Sequence, residues 1–390
     1  MPDATLHCPH FGRCGGCTAL DLPIAHQLEA KRRRALELLS PLLGEVEPRV
    51  HLPPRTPRHD RIGILYPVQR RGRGVVAGIY RRSTHDVEAI TDCRIQHKAL
   101  TVWGARAVEV LRAVGAPPYD ETTGHGVVRA LRARVMPGTD ELLVGFVATT
   151  RRFAGRDALA DGLAAAADGL RDDQGRPLTL AGVVLNVNDR PGNALLGPES
   201  VALRGRPWQL DRVGALSIRV SSASFYQLHR HADAVLFRPA LALLGDVRGL
   251  RVVDGYGGVG AFALRLLRDG AAHVTLIESA PDACGDARAN FAANGFHDVE
   301  VVERPFGAHA LPACDLLVAD PPRKGLGEDG ADAVLAAAPP RVLLVSCSLE
   351  ALARDLEGLA ARYRPTALEL CDLFPHTEHV EAVTSLERRR

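Results

Sequence analysis

The second half of the chain alternates between short apolar runs and longer amphipathic stretches, beginning at about residue 220. Runs rich in Val, Leu and Ile indicate buried strands, and the stretches between them have the spacing of helices. This alternation predicts an α/β domain built on a doubly wound parallel sheet. The predicted strands lie near residues 250–254, 273–278, 299–303, 315–320, 341–346 and 366–370.

The first half of the chain has a different rhythm. Residues 22–43 show the hydrophobic spacing of an amphipathic helix with a basic middle, and prolines end that pattern. Alternating apolar and polar positions with glycine turns then predict antiparallel strands. We expect strands at 61–66, 74–80, 127–135, 141–149 and 180–188, and an Ala-rich helix at 156–169. The chain therefore divides into an N-terminal segment (1–50), a central α+β domain (51–218) and a C-terminal α/β domain (219–390).

The composition is that of an ordinary globular protein, with 46% apolar and 24% charged residues. A length of 390 residues allows two or three domains. No apolar run reaches the length of a membrane span, and the N-terminus lacks the apolar region of a signal peptide. We therefore expect a cytoplasmic protein without a membrane partner, and we expect it to be monomeric.

The net charge is only +2, but the positive charge is concentrated in two places. A short basic run spans 31–34, and the stretch 55–82 opposes a single acid, Asp60, with eight arginines. These are Arg55, Arg58, Arg61, Arg70, Arg71, Arg73, Arg81 and Arg82. The pattern fits either a solvated surface or a surface that binds phosphates.

A glycine-rich turn follows the first predicted strand of the C-terminal domain, between Asp254 and a helix. Gly258 and Gly260 allow close approach of a ligand to the backbone, and a helix N-terminus favours negative charge. The next strand ends in Glu278, an acid that can accept hydrogen bonds from ribose hydroxyls. The turn fits a dinucleotide, S-adenosylmethionine or a plain tight turn. Ala263 replaces the last glycine of the dinucleotide motif, and Asp254 before the turn favours S-adenosylmethionine, whose sulfonium and amino groups are cationic.

Three reactive groups follow predicted strands or turns in the same domain. Cys347 comes directly after the apolar run 341–346, Asp320 ends another such run, and Glu381 follows a turn. Open α/β sheets place their chemistry at the carboxyl ends of the strands. A thiol with two carboxylates therefore favours covalent catalysis over a cysteine that only packs.

The remaining cysteines fall into a cluster and isolated positions. Cys8, Cys14 and Cys17 lie within ten residues of one another, which is a strong metal-site pattern in a chain expected to be reduced. Thiolates suit zinc and iron–sulfur clusters alike. Three cysteines lack companions and are expected to be passive: Cys284, Cys314 and Cys371.

Taken together, the C-terminal motifs resemble the RNA uracil-5-methyltransferase family. In family order they are Ser224-Phe225-Tyr226-Gln227, the turn 254–260, Glu278, Asn294-Gly295, Asp320-Pro321-Pro322-Arg323, Val345-Ser346-Cys347, Phe374-Pro375-His376-Thr377 and His379-Val380-Glu381. The resemblance implies a Rossmann-like class I methyltransferase domain that uses S-adenosylmethionine. It also implies methylation of uridine C5 in RNA, for which the target base leaves the helix or lies in a loop.

The resemblance assigns a role to each motif residue. Cys347 is implied to add to C6 of uracil and so make C5 nucleophilic, and Glu381 to remove the proton from C5. Asp320 is implied to hold the uracil edge or the cofactor near the reacting carbons. The cofactor contacts implied by the family are Gln227, Tyr256, Gly258, Gly260, Glu278 and Asp320.

The N-terminal cysteines resemble those of the family's iron–sulfur subgroup. The resemblance implies a [4Fe–4S] cluster held by Cys8, Cys14, Cys17 and Cys93, with a structural role beside an RNA surface. Members with this cluster mostly act on large-subunit ribosomal RNA. We therefore expect 23S rRNA as the partner, with a uridine of the tRNA T-loop as the alternative.

Other classes of protein fit the motifs less well. An RNA cytosine-5-methyltransferase would carry a cysteine where Arg323 follows the two prolines, and an adenine amino-methylating enzyme would carry an aromatic residue there. A non-catalytic RNA-binding factor would not need both Cys347 and Glu381. The chain departs from the family pattern at Gly257, Pro305 and Ser348, which affects the expected cofactor affinity and substrate more than the reaction.

Overall fold

The computed structural model describes residues 6–72, 74–192 and 194–390. One arginine of the basic stretch, Arg73, and the first five residues of the predicted N-terminal segment lie outside the described residues. Across the described ranges, no helix is both long enough and apolar enough to cross a membrane.

The first half of the chain contains three α-helices and ten strands in the described residues. The helices are α1 (Ile24–Leu43), α2 (Lys98–Val114) and α3 (Arg156–Ala165). The strands are β1 (Pro48–His51), β2 (Gly63–Arg71), β3 (Gly74–Tyr80), β4 (Val87–Ala89), β5 (Val128–Met136), β6 (Glu141–Ala148), β7 (Thr179–Val187), β8 (Glu199–Gly205), β9 (Trp208–Val213) and β10 (Leu216–Ser221).

Seven of these strands form the central sheet, in the order β4-β3-β2-β5-β6-β7-β8. All neighbours are antiparallel except β6 and β7, which are parallel and are joined through α3. Helix α2 packs on the sheet through Trp103, whose indole N–H donates to the carbonyl of Leu163 at 3.2 Å. Gly104 allows this close packing, because a Cβ there would lie 2.8 Å from the ring of Tyr66.

The second half of the chain has the predicted strand–helix alternation. After a π-helical turn at Asp233–Phe237, the helices are α4 (Arg238–Leu244), α5 (Ala261–Arg268), α6 (Pro281–Ala293), α7 (Gly327–Ala337) and α8 (Leu349–Leu359). The strands are β11 (Arg251–Gly255), β12 (His273–Glu278), β13 (Val299–Glu303), β14 (Leu316–Ala319), β15 (Arg341–Ser346), β16 (Tyr363–Cys371) and β17 (Glu381–Arg388).

The C-terminal sheet corrects the expectation of a purely parallel sheet. Its order is β1-β16-β17-β15-β14-β11-β12-β13, and β17 runs antiparallel to both of its neighbours. The sheet also takes in β1, which pairs with β16 through Pro48 and Leu368, although most of β1 lies in the predicted N-terminal segment. The division at residues 50 and 218 remains a prediction.

The direction of β17 decides where its first residue lies. The carboxyl ends of β11, β14 and β15 meet at one edge of the sheet, because these strands are parallel. Since β17 is antiparallel, it begins at that same edge, where Ala382 pairs with Ser346. The fold therefore brings Glu381 next to Cys347, the residue that follows β15.

Candidate active site

Cys347 and Glu381 form the centre of the candidate site at this edge. Cys347 is half-buried, whereas Glu381 is only 4% exposed and its Oε2 has no hydrogen-bond partner among the described residues. Burial, together with the charge of Asp320, raises the pKa of Glu381. Burial raises the pKa of Cys347 as well, and the charges of Glu381 and Asp320 raise it further. The thiol and both carboxyls thus act on one another electrostatically.

Asp320 links this pair to the glycine-rich turn. It follows β14, and its backbone N–H donates to the carbonyl of Gly255 at 3.4 Å. Burial raises the pKa of Asp320. Burial, together with the charge of Asp320, raises the pKa of Asp254 to about 7. A cation placed among these groups would favour the ionised form of every one of them.

Arg323 is a cation of the chain that already acts on the thiol. This exposed residue lowers the pKa of Cys347, although burial and the two carboxyls outweigh its effect. The four-residue motif that begins at Asp320 therefore supplies both a carboxylate that raises the pKa of Cys347 and a cation that lowers it.

Replacing Arg323 with glutamine should raise the pKa of Cys347, because the thiolate loses a nearby positive charge. We expect slower alkylation of Cys347 by iodoacetamide at pH 8, measured by mass spectrometry of the peptide that contains it. Lys324→Gln removes the same charge from the next exposed position and serves as the control. Equal alkylation rates for the two variants would contradict this account of the thiol.

The glycine-rich turn has the geometry of a nucleoside-binding loop. Gly258 and Gly260 have φ values of 54° and 85°, and a Cβ at Gly258 would meet nothing within 4 Å. The buried carboxylate of Asp254 accepts the N–H of Ala263, in the first turn of α5, at 3.0 Å. Glu278 accepts the N–H of Gly258 at 3.0 Å, so the acid of β12 is anchored to the turn. The backbone is thus exposed to a ligand at the start of α5.

Side chains around the turn add an aromatic ring and a carboxylate to this backbone. Tyr256, a non-glycine residue with φ of 56°, places its ring 4.9 Å from that of Phe306. The carboxylate of Glu278 can accept hydrogen bonds from ribose hydroxyls. The family departure at position 257 has a steric reason, because a Cβ on Gly257 would lie 2.5 Å from Cγ of Leu276.

The thiol opens into a cavity of about 760 Å³ between the central sheet and the C-terminal domain. Cys347, Glu381 and Gln227 line it, together with Phe225. Phe225 is 68% exposed, and the motif reasoning gave it no role of its own. An exposed aromatic ring in the same cavity as the thiol is a suitable surface on which a base can stack. Its neighbour Tyr226 is buried instead and donates to Asp211 at 2.8 Å.

Helix α1 holds the segment that leads to Glu381, a contribution that sequence reasoning missed. Nζ of Lys31 donates to Asp372 at 2.7 Å and to the carbonyl of Phe374 at 3.0 Å. Oε1 of Gln27 accepts the backbone N–H of His376 at 2.8 Å, where φ is 66°. The available signal was the spacing of two polar residues, four apart, on the otherwise apolar face of an amphipathic helix.

These contacts also correct part of the expected phosphate-binding surface. Lys31 is buried in an ion pair and cannot face RNA. Within the arginine-rich stretch, Arg55 pairs with Asp60 at 3.2 Å and Arg81 with Glu88 at 3.0 Å. Two arginines of the stretch 55–82 are therefore already paired with acids of the protein.

The four cysteines of the predicted cluster, Cys8, Cys14, Cys17 and Cys93, line the same cavity as Cys347. Burial, and then the charges of the other three, raises the pKa of Cys17. The N–H of Gly16 donates to Sγ of Cys14 at 3.3 Å, which is a contact typical of a thiolate ligand. In the described parts of the chain, however, no group of three or more His, Cys, Asp or Glu residues is arranged to hold a metal ion. The donor chemistry fits a cluster, and the metal assignment stays a prediction.

Comparisons with known proteins show what the chain is similar to. A family model described as tRNA (Uracil-5-)-methyltransferase matches residues 310–389. A Bacillus cereus protein described as an uncharacterized RNA methyltransferase is 30% identical, over 97% of this chain and 82% of its own length. A Gloeobacter violaceus protein with the same description is 33% identical, over 98% of this chain and 82% of its own length.

Among solved structures, the chain resembles Pyrococcus abyssi tRNA (uracil-54, C5)-methyltransferase in complex with S-adenosyl-L-homocysteine. The TM-score is 0.74 at 23% identity, and the match covers 96% of this chain and 86% of that one. The similarity extends the shared fold over nearly the whole molecule. The relatives that match nearly the whole chain show that it is an RNA methyltransferase.

Within that class, the relatives and the family model identify the particular group. The chain belongs to the RNA uracil-5-methyltransferase family. The resemblance deduced from the sequence motifs is thereby confirmed.

Proposed function

We propose that this protein transfers a methyl group from S-adenosylmethionine to C5 of a specific uridine in RNA. The observation that carries the proposal is the grouping of the Cys347 thiol with the Glu381 and Asp320 carboxyls at the carboxyl edge of the sheet. Covalent methylation of a pyrimidine needs a nucleophile, a base and a methyl donor. The first two lie together here, and the glycine-rich turn beside Asp320 suits the third.

Cys347 acts first in the proposed mechanism. Its thiolate adds to C6 of uracil, which forms an Sγ–C6 bond and moves electron density to C5 and the O4 enolate. Because the pKa of the thiol is raised in the free protein, ionisation depends on Arg323 and on further positive charge in the site. Phe225, the exposed ring in the cavity, holds the face of the displaced base.

Tyr256, Gly258, Gly260 and Glu278 would hold S-adenosylmethionine, which would supply the electrophilic methyl group to C5 and leave as S-adenosylhomocysteine when its S–CH3 bond breaks. Glu381 then accepts the proton from C5, the Sγ–C6 bond breaks, and the C5–C6 double bond and the thiolate return. The raised pKa of Glu381 favours this proton transfer, because a more basic carboxylate binds the proton more strongly. Asp320 and Gln227 position the reacting groups between the turn and the thiol.

The preferred substrate in this proposal is 23S rRNA, which rests on the family's cysteine cluster. A uridine of the tRNA T-loop is the alternative, and the description of the matching family model favours it. Cytosine-5 methylation is the weaker alternative, since Arg323 follows the prolines where those enzymes carry a cysteine. A cytoplasmic location and a monomeric state also remain predictions.

Incubation with labelled S-adenosylmethionine and separate rRNA and tRNA pools tests both levels of the proposal. Both RNA pools should come from cells that lack this protein. After digestion to nucleosides, we expect the label in 5-methyluridine from the rRNA pool. Label in 5-methyluridine from tRNA alone would keep the reaction and change the substrate. Label recovered as 5-methylcytidine or methyladenosine would contradict the proposed reaction.

We further propose that Cys8, Cys14, Cys17 and Cys93 hold a [4Fe–4S] cluster that braces the cavity wall. Supporting this, the four thiols line one cavity and a backbone N–H points at Cys14 Sγ. Protein purified anaerobically should be brown and contain about four iron and four sulfide per chain. Cys93→Ala should lose the colour, whereas Cys314→Ala should keep it. Stoichiometric zinc instead of iron would contradict the assignment.

A further inference from the structure

Arg132 is a guanidinium in the catalytic cavity whose hydrogen bonds are incomplete. It lies on β5 and lines the cavity that contains Cys347 and Glu381. One nitrogen, Nη2, donates to the carbonyl of Ser222. The other, Nη1, is shut off from solvent and has no hydrogen-bond partner among the described residues.

The neighbouring Arg134 shows what a satisfied arginine looks like in the same place. Two residues apart on a strand, both side chains point to the same face of the sheet. Nε of Arg134 donates to Gln209 at 2.9 Å, and Nη2 donates to the carbonyls of Val220 and Ser221 at 2.9 and 3.0 Å. Arg134 is therefore a structural arginine, and Arg132 is not.

The electrostatic surroundings of Arg132 also lack a compensating negative charge. Burial lowers its pKa to about 10, with no carboxylate acting in the opposite direction. For Arg134, by contrast, Asp286 and Asp211 act against the effect of burial, while Arg132 adds to it. Buried charges are normally paired or coordinated, and an unpaired one indicates a partner that binds from outside. A group that satisfies Arg132 must carry negative charge and accept a hydrogen bond from its guanidinium, and Nη1 must turn toward the cavity to make that bond.

We propose that Arg132 binds a backbone phosphate of the RNA next to the target uridine. The inference rests on the proposed function, since it takes the cavity of Cys347 as the place where the uridine enters. A phosphodiester is anionic, accepts hydrogen bonds from guanidinium groups and accompanies every nucleotide that reaches the thiol. Arg132 would thus fix the position of the strand and carry no sequence preference of its own.

Methylphosphonate substitution provides the test, because it removes the charge of one phosphate at a time. In a short RNA that the wild-type protein methylates, one substitution beside the target should weaken binding about tenfold, as loss of a charged hydrogen bond does. Arg132→Met should weaken binding of the unmodified RNA to a similar degree. It should then show no further loss with that substituted RNA, which is the signature of a direct pair.

Three further measurements make the result decisive. A plot of the logarithm of the RNA-binding constant against the logarithm of the salt concentration should be less steep for Arg132→Met. Its slope should be smaller in magnitude by about 0.7, the value for one phosphate contact on a single strand. Arg132→Lys should bind RNA with intermediate affinity, because one ammonium cannot keep both the Ser222 contact and the phosphate. Arg238→Met, at an exposed position that does not line the cavity, should leave RNA binding unchanged.

Loss of RNA binding by Arg132→Met cannot be explained by unfolding if its Tm is equal to or higher than that of the wild type. We expect such a Tm, because the substitution removes an unpaired buried charge. Methylphosphonate penalties equal in wild type and variant would overturn the proposal. So would a variant whose only change is a higher KM for S-adenosylmethionine. Either result, obtained with wild-type protein that forms 5-methyluridine, leaves the proposed function intact. Absence of 5-methyluridine in the wild-type control would instead reject the function itself.

Discussion

Cys347→Ala should abolish RNA methylation, with kcat lower by at least about 10⁴-fold, the scale on which catalytic nucleophiles contribute. Without the thiol, C5 of uracil is never activated, because Cys347 is the thiol in the cavity on which both Glu381 and Asp320 act. The substitution removes one atom from a half-buried side chain, so the protein should remain folded. Incorporation of labelled methyl groups into RNA measures the effect.

Cys314→Ala is the matched control, because it makes the same chemical change at a half-buried thiol that does not line the cavity. Its activity should equal that of the wild type. RNA binding by Cys347→Ala should also persist, which separates loss of chemistry from loss of substrate. A Cys347→Ala protein that still methylates RNA would exclude covalent catalysis by this residue.

Glu381→Gln should block the reaction at a later step, so that the covalent intermediate accumulates on ordinary RNA. Glutamine has nearly the same shape as glutamate but cannot accept the C5 proton, so the thiolate cannot leave. We expect kcat to fall by about 10²- to 10⁴-fold, the range for a general base. Denaturing gels should show a protein–RNA adduct during turnover that the wild type does not build up.

The same substitution should make the thiol more acidic. The charge of Glu381 raises the pKa of Cys347, so its removal lowers that pKa and should speed alkylation of Cys347 at about pH 9, where the wild-type carboxyl, with its pKa raised to about 8, is ionised. Glu378→Gln, an exposed position three residues earlier, should change neither alkylation nor turnover. Fast turnover by Glu381→Gln without an adduct would assign the base to another residue.

The sequence predicts the C-terminal domain well because its strands are continuous apolar runs between clear helical patterns. The strands that end at Glu278 and Ser346 have the bounds expected from the sequence. Two features of the C-terminal sheet were missed for a physical reason. The short β1 has no recognisable pattern until it pairs with β16, and the antiparallel direction of β17 depends on tertiary pairing. Helix α2 was also missed, although its buried Trp103 anchors the central core.

The candidate site divides in a similar way. Motifs placed Cys347 and Asp320 at the ends of strands and Glu381 after a turn, and the sheet brings the three together. No motif could reveal Lys31, because its partner Asp372 is distant in the sequence and close only in the fold. Nothing in the sequence marks Arg132 either, because it is one of many arginines. Only its unpaired Nη1 in the cavity distinguishes it.

The central claim is that Cys347 attacks C6 of a uracil in RNA. RNA that carries 5-fluorouridine at the target position tests it most directly, because fluorine at C5 cannot leave as a proton and the adduct is trapped. After incubation with S-adenosylmethionine and digestion, mass spectrometry should find a methylated fluorouridine nucleotide on the peptide that contains Cys347. An adduct on a different residue, or no adduct from protein that methylates ordinary RNA, would contradict the account.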